Sequence, residues 1–301
     1  MSYIYYLKPS SFCFGVKRSI EELQKVIEKH SNDTIYCIHA LVHNPKVTTY
    51  FIDRGVKFVE TIQEVPSKDA VVVFSAHGIS RNIFNEATTL FKAVYSLECP
   101  FVSKIYNEIR YFIEQGIKKF VYIGKQGHQE AENVIHDIQF QGAEVCSILD
   151  VSEIPHIPFS GPFAILSQTT LNFDLVQHLI KQIQQQFSAA ITPKILDICK
   201  ATYERQGVIQ KFTSNFETLV VIGGKESSNT KELYKIGEKL GKKVFFGEGL
   251  SDLLENKEFM HQNFSNVAVT GGASTPIEDI LEVIDWYEKK GYIAKTLEFQ
   301  G

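Results

Sequence analysis

The stretch AVYSLECPFVSKIYNEIRYFIEQG, residues 93–116, decides how the rest of the chain is read. Ala93–Leu97 is a short run of apolar and aromatic residues of strand length. Cys99 follows, and Pro100 suits the first position of a helix, where a missing amide proton costs no hydrogen bond. Val102, Ile105, Ile109 and Phe112 then recur every three or four residues, and Gly116 ends the run. A strand thus hands over to an amphipathic helix at a cysteine. The same handover occurs at Cys13, ahead of Val16, Ile20, Leu23 and Ile27, and at Cys199, ahead of Ala201, Val208 and Phe212. The three cysteines are 86 and 100 residues apart (99−13, 199−99), which reads as one module used three times.

Outward from these turns, strands are expected at Tyr3–Leu7, Ile35–His39, Lys57–Glu60, Ala70–Ser75, Ala93–Leu97, Lys119–Ile123 and Glu144–Leu149. Further strands are expected at Phe163–Ser167, Lys194–Ile198, Thr218–Ile222, Lys243–Phe246, Val267–Thr270 and Lys295–Phe299, with helices between most of them. Two polar loops follow each cysteine. The first set is His43-Asn44, Gly127-His128-Gln129-Glu130 and Ser227-Ser228-Asn229. The second is Ser75-Ala76-His77-Gly78, Ser167-Gln168-Thr169-Thr170 and Gly271-Gly272-Ala273-Ser274. All lie between a strand and a helix, at the strand carboxyl ends where α/β proteins bind ligands. The expected fold is α/β, with three pseudo-threefold-related α/β domains at 8–98, 99–198 and 199–301, the Tyr3–Leu7 strand being free to pair elsewhere.

Composition narrows the function classes. A chain of 301 residues with 44% hydrophobic content can bury one large core or several smaller ones. No apolar run has membrane-span length, and MSYIYYLKPSSFC lacks the pattern of a secretory signal, so a cytoplasmic enzyme without membrane partners is expected. The net charge of −4 argues against a nucleic-acid partner, which requires a basic face. Five cysteines without a CxxC pair point to metal-bound or catalytic thiols, not a disulfide framework.

Three thiolates at equivalent helix starts are one short of the four that close an iron–sulfur cube. Helix N-termini favour the thiolate form that a metal requires. Cys37 and Cys146 lie inside strands, outside the repeat, and are read as structural. His43, His77 and His128 occupy repeat-equivalent loops, where imidazole and free backbone amides together suit an anion. Glu130 is the carboxyl placed to have its pKa raised and to donate a proton. Thr170 and Thr275 are expected as N-caps, the latter boxed by Glu278, which leaves Thr169 and Ser274 to face a ligand.

Nine stretches together resemble the 4-hydroxy-3-methylbut-2-enyl diphosphate reductase (LytB/IspH) family. They are FCFGVKRSI around Cys13, LVHN at Leu41, SAHG at Ser75, Cys99-Pro100, GHQEAE at Gly127, SQTT at Ser167, DIC at Asp197, KESSN at Lys225 and GGAS at Gly271. The resemblance runs from about residue 3 to 298. It implies a trefoil of three α/β domains around a central [4Fe–4S] cluster held by Cys13, Cys99 and Cys199. It also implies an allylic diphosphate held by His43, His77, His128, Thr169, Ser227, Ser228, Asn229 and Ser274, with Glu130, Thr169 and His128 in catalysis. The implied activity is reductive dehydroxylation to isopentenyl and dimethylallyl diphosphate, the last step of the methylerythritol phosphate route. Electrons would come from an external ferredoxin- or flavodoxin-type donor, since no nicotinamide motif is visible. Ser96-Leu97-Glu98, Gln129, Asn133 and Glu204 depart from the family's usual residues. Alternatives are another three-cysteine cluster enzyme such as a quinolinate-synthase-like dehydratase, a zinc hydrolase built on His43, His77, His128 and Glu130, and a non-enzymatic iron–sulfur carrier.

Overall fold

Three wholly parallel sheets carry the chain, in a computed structural model that describes residues 1–261 and 264–300. The strands are β1 (Tyr3–Lys8), β2 (Ile35–Ile38), β3 (Lys57–Val59), β4 (Val71–Phe74), β5 (Ala93–Ser96), β6 (Lys119–Ile123) and β7 (Glu144–Ile148). They continue as β8 (Phe163–Ser167), β9 (Ala190–Ile191), β10 (Thr218–Ile222), β11 (Lys243–Gly247), β12 (Asn266–Gly271) and β13 (Ile293–Glu298). Between them run helices α1 (Phe14–Lys29), α2 (Pro45–Ile52), α3 (Arg81–Leu90), α4 (Pro100–Glu114), α5 (Gln129–Phe140) and α6 (Phe173–Gln186). The remaining helices are α7 (Lys200–Lys211), α8 (Ser228–Lys239), α9 (Leu250–Leu254), α10 (Lys257–His261) and α11 (Ile277–Lys289). No helix among the described residues is long and apolar enough to cross a membrane.

The sheet orders repeat. They are β3-β2-β4-β5, β7-β6-β8-β9 and β11-β10-β12-β1-β13. In each, the first strand of the set lies between the second and the third, so the chain leaves the first and third strands in opposite directions. That reversal makes a crevice at the carboxyl ends of the two strands, the place where such sheets bind ligands. Both polar loops of each module emerge there, from β2 and β4, β6 and β8, or β10 and β12. The third sheet differs by accepting β1 between β12 and β13, with Tyr5 opposite Ala268 on one side and Lys295 on the other.

Strand residues alternate between two buried faces, as parallel sheets covered by helices require. Phe120 and Tyr122 pack with α4 and α5 residues Ile105, Ile109, Val134 and Ile138, while Val121 and Ile123 face Leu179 and Ile183 of α6. Helix α4 buries Val102, Ile105, Ile109 and Phe112 as its spacing indicates, and each contributes about 1.5–3 kcal/mol of burial. Gly116 ends it at φ +82°, its amide donating to Ile113 O and that of Ile117 to Phe112 O.

The described residues form two compact units. The smaller comprises Met1–Val16, His43–Pro45 and the chain from Lys200 onward, and holds the five-stranded sheet. The larger comprises Lys17–Val42 and Lys46–Cys199, and holds both four-stranded sheets.

Three expectations are corrected. Lys194–Ile198 is not a strand; the short edge strand is β9, just upstream. The backbone there cannot extend β8, because the buried Asp197 carboxylate accepts the Ser167 amide in its place at 2.9 Å. The inward face of α7 is not simply Ala201, Val208 and Phe212, for Thr202, Arg205 and Gln206 are buried beside Val208 and Ile209. Finally, α6 and α11 are capped by Asn172 and Pro276, not Thr170 and Thr275, and the Thr275 hydroxyl instead donates to Ile222 O at 2.9 Å.

Candidate active site

In the larger unit the polar loops at the ends of β6 and β8 meet through one carboxyl. His128 is the N-cap of α5, its Nδ1 accepting the Glu130 amide at 3.2 Å, which leaves Nε2 as the nitrogen that carries the neutral ring's proton. That cap turns Glu130 inward, where only 3% of it is exposed. The Thr169 amide donates to Glu130 Oε1 at 2.6 Å and the Thr169 hydroxyl to Oε2 at 2.8 Å. Burial pushes this carboxyl up to about 7, against the opposing pull of the two Thr169 hydrogen bonds. Thr169 O in turn accepts the Cys199 amide at 3.1 Å. On the first sheet's side, Cys99 donates its amide to Ala76 O at 3.0 Å, and Ser75 Oγ is hydrogen-bonded to His77 Nδ1 at 3.2 Å. Asn133 Nδ2 of α5 donates to Gly78 O at 3.0 Å, tying that loop to the helix that carries Glu130.

The smaller unit brings together a different set. Ser227 caps α8 by accepting the Thr230 amide. Asn229 is buried, its Oδ1 accepting the Ala273 amide at 3.1 Å and its Nδ2 donating to Thr202 Oγ1 at 3.2 Å. Ser274 Oγ donates to His43 O at 3.2 Å, and Asn44 Nδ2 donates back to Ser274 O at 2.8 Å. His43 therefore belongs with the Ser274 loop although it follows β2 in the chain. Gly224 permits this approach, since a Cβ there would overlap the His43 carbonyl. Ser228 opens α8 beside them and is half-buried. Cys13 joins the same unit through its amide, which donates to Ala273 O at 2.9 Å.

The cysteines fall into two kinds. Cys13, Cys99 and Cys199 are half-buried thiols, each immediately ahead of a helix, and Cys13 Sγ accepts the Val16 amide at 3.5 Å. Cys37 is fully buried in β2 and Cys146 lies in β7. Burial pushes the Cys37 thiol far up and that of Cys146 to about 11, which suits packing and opposes metal binding. The Val16 amide aimed at Cys13 Sγ, partial burial and thiols at helix starts suit iron–sulfur ligation. Among the described residues, no three His, Cys, Asp or Glu side chains gather closely enough to hold a metal ion by themselves.

The LytB protein family profile matches residues 4–288. The chain belongs to this family. Among LytB relatives, a 4-hydroxy-3-methylbut-2-enyl diphosphate reductase of Bradyrhizobium diazoefficiens is 34% identical over 284 residues, covering 93% of this chain and 90% of the relative. One from Methylococcus capsulatus is 32% identical and covers 97% and 92%. A solved structure of the E-1-hydroxy-2-methyl-but-2-enyl-4-diphosphate reductase from Plasmodium falciparum shares the fold, with a TM-score of 0.91 at 23% identity over 100% of this chain and 93% of that one. LytB membership displaces the quinolinate-synthase-like alternative.

Within this LytB chain several residues do more than their sequence positions suggest. Asp197 is buried between Ser167 and Lys104, whose Nζ is 2.7 Å away, and burial still raises its carboxyl despite that cation. Thr202 and Arg205 were hidden because polar residues at helical spacing ordinarily face water. Of the departures from the usual family residues, Asn133 holds Gly78 as described, and Glu204 pairs with Lys200 at 3.5 Å. Glu98 accepts from Ser103 Oγ and the Ile79 amide, with burial raising its carboxyl.

Proposed function

We propose that this chain reductively removes the allylic hydroxyl of (E)-4-hydroxy-3-methylbut-2-enyl diphosphate, giving isopentenyl and dimethylallyl diphosphate. Family membership supports the reaction class, and so do the names carried by relatives above 30% identity. The observation that carries the mechanism is the buried Glu130 carboxyl, held by Thr169, whose own carbonyl accepts the Cys199 amide.

One [4Fe–4S] cluster, held by Cys13, Cys99 and Cys199, would supply single electrons and an iron with an open position for an oxygen ligand. Each of the three modules, 8–98, 99–198 and 199–301, would contribute one of those thiolates. His43, His77, His128, Ser227, Ser228, Asn229 and Ser274 would hold the diphosphate, offering neutral donors that charge-assisted hydrogen bonds to phosphate oxygens strengthen. The overall change breaks one C–O bond, forms one C–H bond and consumes two electrons and two protons. Glu130 is protonated below about pH 7 and can give up its proton there. The Thr169 hydroxyl can accept that proton while donating its own onward, so the pair can deliver it to the departing oxygen as water forms. The second proton can enter at either end of the allylic system, which accounts for two products. Electrons would arrive from a separate ferredoxin- or flavodoxin-type protein.

Oxygen-free purification with assay of iron and sulfide, and spin resonance with and without the allylic diphosphate, tests this reading. Iron and sulfide in the proportion of one cluster per chain, with a spectrum that the diphosphate perturbs, is the expected result. Cys37→Ala and Cys146→Ala should leave the iron content unchanged. A colourless zinc protein that ignores the diphosphate would overturn the proposal.

A further inference from the structure

Three cations occupy matching places on the helices that follow the cysteines. Arg18 lies five residues beyond Cys13 (18−13), Lys104 five beyond Cys99 (104−99) and Arg205 six beyond Cys199 (205−199). Each reaches the backbone just ahead of a different cysteine. Arg18 Nη1 donates to Glu98 O at 2.8 Å, directly before Cys99. Lys104 Nζ donates to Ile195 O at 2.8 Å and to Asp197 Oδ1 at 2.7 Å, in the approach to Cys199. Arg205 Nη2 donates to Ser11 O, in the approach to Cys13, and its Nη1 to Ala201 O at 2.9 Å. The order is cyclic: the first cysteine's helix holds the second turn, the second holds the third, and the third holds the first.

The physical need is specific to these turns. Residues just ahead of each cysteine have left their sheet, so their carbonyls have lost the ladder that would satisfy them. A cation answers a carbonyl with a charge-assisted hydrogen bond, stronger than a neutral donor gives. Neighbouring side chains reinforce two of the turns. Ser19 Oγ, next to Arg18, donates to Leu97 O at 2.8 Å, and Asp197 Oδ2 accepts the Ser167 amide at 2.9 Å. Arg205 is only 2% exposed, a rare place for a guanidinium.

We propose that Arg18, Lys104 and Arg205 are positioning residues that form a cyclic clasp, each fixing the backbone from which the next cysteine presents its sulfur. The proposal rests on the reading that the three thiolates share one cluster. In the test, Arg18→Gln, Lys104→Gln and Arg205→Gln are prepared without oxygen as holoenzyme. Lys92→Gln, which loses a surface ion pair with Asp33 outside the clasp, serves as control. Iron release to a chelator, spin resonance of the reduced cluster, reduction potential and melting of the metal-free chain are measured. Each clasp variant should release iron about tenfold faster or more, the range seen when residues supporting metal ligands are lost, and should alter the spectrum or potential. The control should do neither, and Arg18→Lys and Lys104→Arg should restore slow release.

Wild-type release rates and spectra in Arg18→Gln and Lys104→Gln overturn the clasp, even if the buried Arg205→Gln variant fails to fold. Faster release that merely follows a lower melting temperature, with unchanged spectra and no rescue by the conservative variants, overturns it as well. A wild-type chain that assembles no cluster overturns the cofactor reading itself, which is a separate result.

Discussion

In the smaller unit, Ser227, Asn229 and Ser274 are anchored to helix-start and loop backbone, and with His43 they bring together hydroxyl, amide and imidazole. In the larger unit the corresponding loops end on a carboxyl, Glu130, locked to Thr169 and pushed up to about 7 by burial. The same strand-loop-helix module therefore yields two chemistries. On the proposed function, a loop that fixes neutral donors serves binding, and one that buries a carboxyl serves proton delivery near neutral pH. The contrast predicts which kinetic constant each unit controls.

The largest effect should come from Glu130→Gln, which keeps the shape of the carboxyl and removes its proton transfer. Turnover should fall by about 10²–10⁴-fold with cluster content and substrate affinity retained. Full activity in this variant would erase the distinction between the units. The same substitution bears on stability. Folded chains hold the Glu130 proton up to about pH 7, while unfolded chains release it near 4.5, so the folded state binds more protons between those values. Stability should then fall as pH rises across that window, by about 3 kcal/mol from this one group. Denaturant midpoints measured from pH 4.5 to 7.5 should flatten in Glu130→Gln relative to wild type, and an unchanged slope would place the carboxyl's ordinary pKa back in the folded protein.

Asn229→Ala should act on the other constant. Losing a buried donor to a charged ligand costs about 1.5–3 kcal/mol, so KM should rise about tenfold or more with turnover much less affected. A variant that loses turnover and keeps its KM would mean that the smaller unit does more than bind. The smallest effect should be a shift in pH profile. Activity should decline as pH rises past the Glu130 value, because the deprotonated carboxylate has nothing to donate. Thr169→Val removes a hydrogen bond that holds that value down, so the falling limb should move to higher pH, by roughly one unit or less. Movement toward lower pH would show that the hydroxyl stabilises the acid and not its anion.

Much of this was open to reading along the chain. Twelve of the thirteen expected strands exist within a residue or two of the stated bounds, since apolar runs bounded by turn residues are local signals. The one that failed, Lys194–Ile198, has the right pattern, but Asp197 is turned inward to Ser167 and Lys104, contacts 30 and 93 residues away. Helix α1 shows the same effect at smaller scale. Ser19 and Val26 take buried places on the face expected from Ile20 and Ile27, because Ser19 Oγ is drawn to Leu97 O.

Periodicity, turn chemistry and the threefold recurrence of a cysteine at a helix start are properties of neighbouring residues, so the α/β modules and their polar loops stand in the sequence alone. The burial that raises the Glu130 carboxyl, the membership of His43 in the Ser274 loop and the reach of Arg18, Lys104 and Arg205 to distant carbonyls do not. Each depends on which backbone lies beside a side chain once water has been excluded. A carboxyl's pKa is set by the solvent it has lost, and a cation's task by the carbonyl it meets; both are fixed only when segments far apart in the chain pack together.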